Sequence, residues 1–126
     1  MSDLSVRISR QHWLALLDEL ESARRSRSLL TYRSVIERLG LPQPAMVTLT
    51  TALEYLAALD RREGRPLRSA LVVSQSGTRI PREGFFDCAL RLGALEGSPP
   101  VTDAISWHAA EVTRVFDHRY PDHRLE

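Results

Sequence analysis

Leu30-Thr31-Tyr32-Arg33-Ser34-Val35-Ile36-Glu37-Arg38-Leu39-Gly40-Leu41 is the stretch on which the reading of the fold turns. Thr31 supplies the side-chain oxygen that a helix start needs to accept one of its orphan N–H groups. Tyr32, Val35, Ile36 and Leu39 recur at i, i+3, i+4 and i+7, which predicts a short helix with one apolar face. Gly40 stands where the chain needs a left-handed residue to close that helix.

The segments on either side give this helix a context. Leu41-Pro42-Gln43-Pro44 is a stiff turn, because a proline disfavours helix at the residue before it. A longer amphipathic helix is expected over about residues 44–63, marked by Met46, Leu49, Leu53 and Leu56 and ended by Gly64. Ala70-Leu71-Val72-Val73 lies in a β-favouring run from Leu67 to Ser74, Gln75-Ser76-Gly77 is a turn signal, and Thr78-Arg79-Ile80 is expected to return as a second strand. Pro81 stops the pairing or confines it to an edge. Helix, helix, β-hairpin is the order of a winged helix-turn-helix module.

Upstream, Ser9 is positioned to cap a helix over Arg10 to Arg25 whose stripe is Trp13, Leu16, Leu17 and Leu20. Downstream, a short helix over Phe85 to Leu92 closes at Gly93. A last helix is expected from about Asp103 to Arg119, capped by Thr102 or Asp103, with Ile105, Ala109, Val112 and Phe116 inward and Pro121 beyond its end. The expected fold is therefore mainly α with a small β-hairpin. It is one domain over 1–126, with a winged-helix core at about 28–93 and a C-terminal helix at about 102–120.

The composition suits a modest globular core: of 126 residues, 43% are hydrophobic and 26% charged. No apolar run is long enough to cross a membrane, and Met1-Ser2-Asp3-Leu4-Ser5-Val6-Arg7 lacks the apolar centre of a signal peptide, so a cytoplasmic protein with no membrane contact is expected. A single cysteine, Cys88, excludes an intrachain disulfide framework, and its apolar neighbours mark it as a packing residue. All 17 basic residues are arginines, yet the net charge is only +1, which excludes a globally basic nucleic-acid binder. Arginines gather in the middle, with seven against four acids over residues 60–91.

In a winged helix-turn-helix protein the second helix of the pair presents its N-terminal half to the major groove. Thr48 and Thr51 are the base-contacting candidates there, while Arg33, Arg65, Arg68, Arg79 and Arg82 are the phosphate-contacting candidates. No arginine lies in the first half of that helix to read guanine, and Glu54 adds a negative charge. His108 with Glu111, and His118 with Asp122, have helical spacing. No nucleophile, oxyanion motif or further ligand cluster accompanies them, so no catalytic residue, metal site or cofactor is expected.

Thr31-Tyr32-Arg33-Ser34-Val35-Ile36-Glu37-Arg38-Leu39-Gly40 resembles the Thr/Ser-Tyr-Gly-x-[Ile/Leu]-Ala-x-x-[Leu/Ala]-Gly segment of the alkylguanine-DNA alkyltransferases. The likeness extends through Thr51-Ala52-Leu53 and Gly64-Arg65-Pro66 to Val72-Val73 and Gly77, covering residues 31–77. It implies a winged-helix-like DNA-binding domain. The family's Pro-Cys-His-Arg motif falls at Pro66-Leu67-Arg68-Ser69, without the nucleophilic cysteine or its histidine, so alkyl transfer is not implied. Alkyltransferase-like proteins also lack the cysteine but keep an arginine finger, and Val47 stands at that place. The expectation is a small non-catalytic winged-helix protein that binds DNA or other nucleic acid mostly through phosphates. The alternative is a protein-interaction module on the same fold: an inhibitor, an immunity-type protein or an assembly subunit.

Overall fold

Ser9 Oγ accepts the N–H of His12 at 3.1 Å and starts helix α1, Arg10–Ser26. The computed structural model describes residues 8–75, 79–95 and 101–124. A two-residue strand β1 (Leu30–Thr31) leads directly into α2 (Tyr32–Leu39). Thr31 Oγ1 accepts the Ser34 N–H at 3.1 Å, and the Thr31 N–H donates to Ser34 Oγ at 3.3 Å, a reciprocal cap that satisfies two orphan donors. Gly40 closes α2 at φ +63°, a conformation that costs a side-chain-bearing residue about 1 kcal/mol or more. Then come α3 (Ala45–Arg62), a 3₁₀ turn (Arg68–Leu71), strand β2 (Val72–Val73), α4 (Glu83–Arg91) and α5 (Val101–Asp117).

The architecture is mainly helical, with a small parallel sheet rather than the expected hairpin. Leu30 pairs with Val72 and Thr31 with Val73, in parallel. The reason is burial: Ala70, Leu71, Val72 and Val73 are all 0% exposed. A hairpin strand with one wet face alternates apolar and polar residues, whereas a strand covered on both sides is continuously apolar. The second expected strand is not formed at Arg79 or Ile80, and Thr78 lies outside the described residues, as do Ser76 and Gly77 of the turn. Only the Ser74 N–H, donating to the Ile80 carbonyl at 2.8 Å, ties the two arms together among the described residues.

Other boundaries move less. Helix α4 starts at Glu83, two residues earlier than Phe85. Helix α5 starts at Val101, so Thr102 and Asp103 lie inside it instead of capping it. Its inward face is also rotated from the expected stripe: Ala109 is exposed, while His108, Glu111, Val112 and Val115 are buried.

Those two polar residues turn inward because the 3₁₀ segment needs them. Glu111 Oε2 accepts the Leu67 N–H at 2.8 Å, and its other oxygen accepts from Arg114 Nε at 2.8 Å. His108 Nε2 lies 2.8 Å from the Ala70 carbonyl. A carbonyl only accepts, so Nε2 carries the proton and Nδ1 is bare in the neutral ring. Nearby, Asp60 (0% exposed) ends the buried face of α3. Its Oδ1 accepts from Arg65 Nε at 2.9 Å and Arg68 Nη2 at 2.8 Å. Its Oδ2 accepts from the Arg68 N–H at 3.0 Å and Arg68 Nε at 3.1 Å. Tyr120, just beyond α5, donates its hydroxyl to the Pro66 carbonyl at 2.7 Å and lays its ring 4.5 Å from the Arg68 guanidinium carbon.

Burial holds the His108 pKa below its ordinary value of 6.5, and this outweighs the opposing pull of Ala70 and Glu111. The unfolded chain therefore binds the proton more readily than the folded one. Stability is complete above pH 6.5 and declines as the pH falls from there towards the folded value. Replacing His108 by Gln, which still donates to Ala70, is expected to flatten that limb in urea denaturation followed across mildly acidic pH. A separate loss comes at lower pH, where Glu21, held below its ordinary 4.5 by the Arg24 hydrogen bond, takes up its proton.

Candidate functional site

Between α2, α3 and α4 lies an open cleft of about 280 Å³. Its apolar walls come from Met46, Val47, Leu53 and Ala57 on α3 and from Phe85 and Cys88 on α4. Tyr32, Glu54, Ser69 and Arg82 add polar groups. The volume follows from small residues at the right places. Ala57 is one. Gly84 is another, since a Cβ there would meet nothing nearer than Glu54 Oε2 at 3.9 Å.

The polar groups are not equivalent. Tyr32 Oη accepts the Arg82 N–H at 2.9 Å, which leaves the phenol proton free to donate. Burial raises the Tyr32 pKa, so that proton stays on. Arg82 is exposed, with its guanidinium carbon 5.9 Å from the Tyr32 ring centre. Ser69 is 3% exposed, and its Oγ is the one buried side-chain polar atom without a partner among the described residues. An unpaired buried hydroxyl costs about 1–3 kcal/mol and asks for an explanation. Burial also raises the Cys88 pKa, so that thiol is a protonated, apolar part of the wall rather than a nucleophile.

The seven residues expected to contact nucleic acid do not share one face. Arg79 and Arg82 are exposed near the start of α4, and Arg33 is exposed on α2 with Glu37 3.5 Å away. Thr48 is 5% exposed, and its hydroxyl donates to the Pro44 carbonyl at 3.0 Å, so it does not face solvent. Thr51 is half-buried. Arg65 and Arg68 point inward to Asp60, with side chains 14% and 8% exposed. The helix-periodic pattern predicts the inward turn of Thr48 poorly, because threonine satisfies its own hydroxyl on the preceding turn.

Arg65 and Arg68 read as surface residues because their partner, Asp60, has the sequence position of a surface acid at the end of an amphipathic helix. The cleft residues Tyr32, Ser69 and Phe85 carried no functional signal in the sequence, since each reads as core or as part of a strand. His108 and Glu111 are buried and spent on the backbone of the 3₁₀ segment. His118 packs edge-on against Tyr120, and Asp122 accepts the Arg124 N–H. No cluster of three metal-ligating side chains occurs among the described residues, and no described helix is long and apolar enough to cross a membrane. No family model, characterised protein or solved structure matches the chain.

Proposed function

We propose that this protein is a small non-catalytic module that binds nucleic acid, with phosphates on Arg33, Arg79 and Arg82 and an unpaired base in the cleft beside Tyr32. The observation that carries the reading is a ring-sized cleft with an exposed arginine on its rim and two aromatic side chains in its wall. A cavity of about 150 Å³ accommodates benzene, so 280 Å³ leaves room for a base. Phe85 and Tyr32 offer aromatic surface on which a base can stack. The resemblance of Thr31–Gly40 to the alkyltransferases, and the consecutive short helix and longer helix of α2 and α3, favour a helix-turn-helix ancestry. In this reading α3 does not enter a groove: Thr48 is buried, and over residues 45–55 the exposed side chains are Val47, Glu54 and Tyr55.

Fluorescence polarisation with labelled single-stranded and duplex DNA, at low and moderate salt, tests the proposal. Single strands are expected to bind better, with affinity falling as salt rises. Arg82→Gln is expected to weaken every sequence alike and to reduce the salt slope by about one counterion. Flat titrations at low salt would sink the reading. One observation favours a protein partner instead: Val47 and Tyr55 of α3 are 56% and 43% exposed. A photocrosslinker at Val47, capturing one stoichiometric protein in the native host while DNA titrations stay flat, would support that alternative.

A further inference from the structure

On the other side of α3, the first turns of α1 and the C-terminal segment enclose a second cavity of about 150 Å³. Arg10, Trp13, Arg65, Arg68, Pro121 and His123 are among its walls, and none of its residues belongs to the cleft above. Two of these guanidiniums share one carboxylate. Asp60 engages Arg65 through Nε alone and Arg68 through its backbone N–H, Nε and Nη2. Both terminal nitrogens of Arg65 and Nη1 of Arg68 have no hydrogen-bond partner among the described residues. Neither arginine contributes a sealed orphan atom, because Ser69 Oγ is the only one described, so these nitrogens open to solvent or to the cavity.

The charge does not cancel. Arg10, Arg65 and Arg68 bring three positive charges against the one negative charge of Asp60, an excess of two in a chain whose net charge is +1. His123 adds a ring on another wall, held by Asp18 at 2.8 Å, and Arg124 also pairs with Asp18. The segment carrying Pro121 and His123 is thus fastened over the cavity from both ends, by Tyr120 on Pro66 and by His123 on Asp18.

We propose that this cavity is an anion site that takes one phosphoryl group, as free phosphate or as the terminal group of a phosphate monoester. An excess of two positive charges matches a dianion, guanidinium forks suit its tetrahedral oxygens, and 150 Å³ holds little more than one such group. Trp13 and Leu17 form the apolar side, which keeps competing water few.

The full-length protein, isotopically labelled, is titrated with inorganic phosphate at constant ionic strength while the Trp13 indole N–H and the arginine Nε–H resonances are followed. Saturable shifts in the millimolar range or below are expected, with acetate and chloride inert. Arg10→Gln leaves the Asp60 network intact and is expected to weaken binding about tenfold, the loss of one charge-assisted contact. Glucose 6-phosphate distinguishes the sources. Matching shifts mean that the site accepts a phosphoryl group on a larger molecule, and their absence means that it holds the free ion. Linear, non-saturating shifts, equal shifts with acetate, or Arg10→Gln binding like the parent would overturn the proposal. The outcome is independent of DNA binding, since Arg33, Arg79 and Arg82 are not in this cavity.

Discussion

Asp60→Asn is expected to lose about 3–5 kcal/mol of folding stability, the cost of breaking a buried ion pair by removing one partner. The substitution barely changes volume, so packing around α3 is preserved and the loss reports charge. An amide presents N–H groups where Arg65 and Arg68 already donate, so two guanidiniums lose their counter-charge and at least one donor faces a donor. A domain of this size has roughly 5–15 kcal/mol in total, so the variant should melt well below the parent, and a large fraction should be unfolded in mild urea. Urea denaturation with two probes checks it. A loss under about 1 kcal/mol would mean that the pair is hydrated and behaves like a surface bridge. By contrast Arg33→Gln, which breaks an exposed pair with Glu37, is expected to leave the midpoint unchanged.

Gly84→Leu should separate binding from folding. Gly84 is the second residue of α4 and its φ is not left-handed, so a side chain there is conformationally free and removes the flexibility cost of glycine, a gain of about 0.5–1 kcal/mol. The same side chain would occupy the cleft and displace a base. Stacking on aromatic surface is worth about 1–3 kcal/mol per base, so affinity for single strands is expected to fall roughly 5- to 150-fold while the melting temperature holds or rises. Polarisation and thermal denaturation on the same preparation read both. Undiminished binding by a stably folded Gly84→Leu would place the base elsewhere and leave only the phosphate contacts.

Local structure was legible where its cause is local. The Thr31 cap, Gly40, Ser9 and the stripe Leu16, Leu17, Leu20 each depend on residues within a turn or two, and each sits as the pattern predicts. What the chain does at a distance was not legible. Val72–Val73 find their partner at Leu30–Thr31 rather than across the adjacent glycine turn, and neither stretch announces the other. The candidate site suffered more, because its character depends on which polar residues are spent internally. Thr48, Arg65 and Arg68 look available by composition and are committed to Pro44 and Asp60. Ser69 looks committed to a strand and is left over.

The clamp from α5 has a bearing on how the molecule is made. Leu67 N–H and the Ala70 carbonyl sit in the centre of the domain, but the groups that satisfy them, Glu111 and His108, are about forty residues further along the chain. During synthesis the first three helices can emerge and pair while the 3₁₀ turn still lacks its acceptor and donor. A ribosome-bound intermediate without α5 is therefore expected to be loosely ordered around residues 67–71 and open to proteases there. Consolidation of this turn would then wait until α5 has emerged and docked on it.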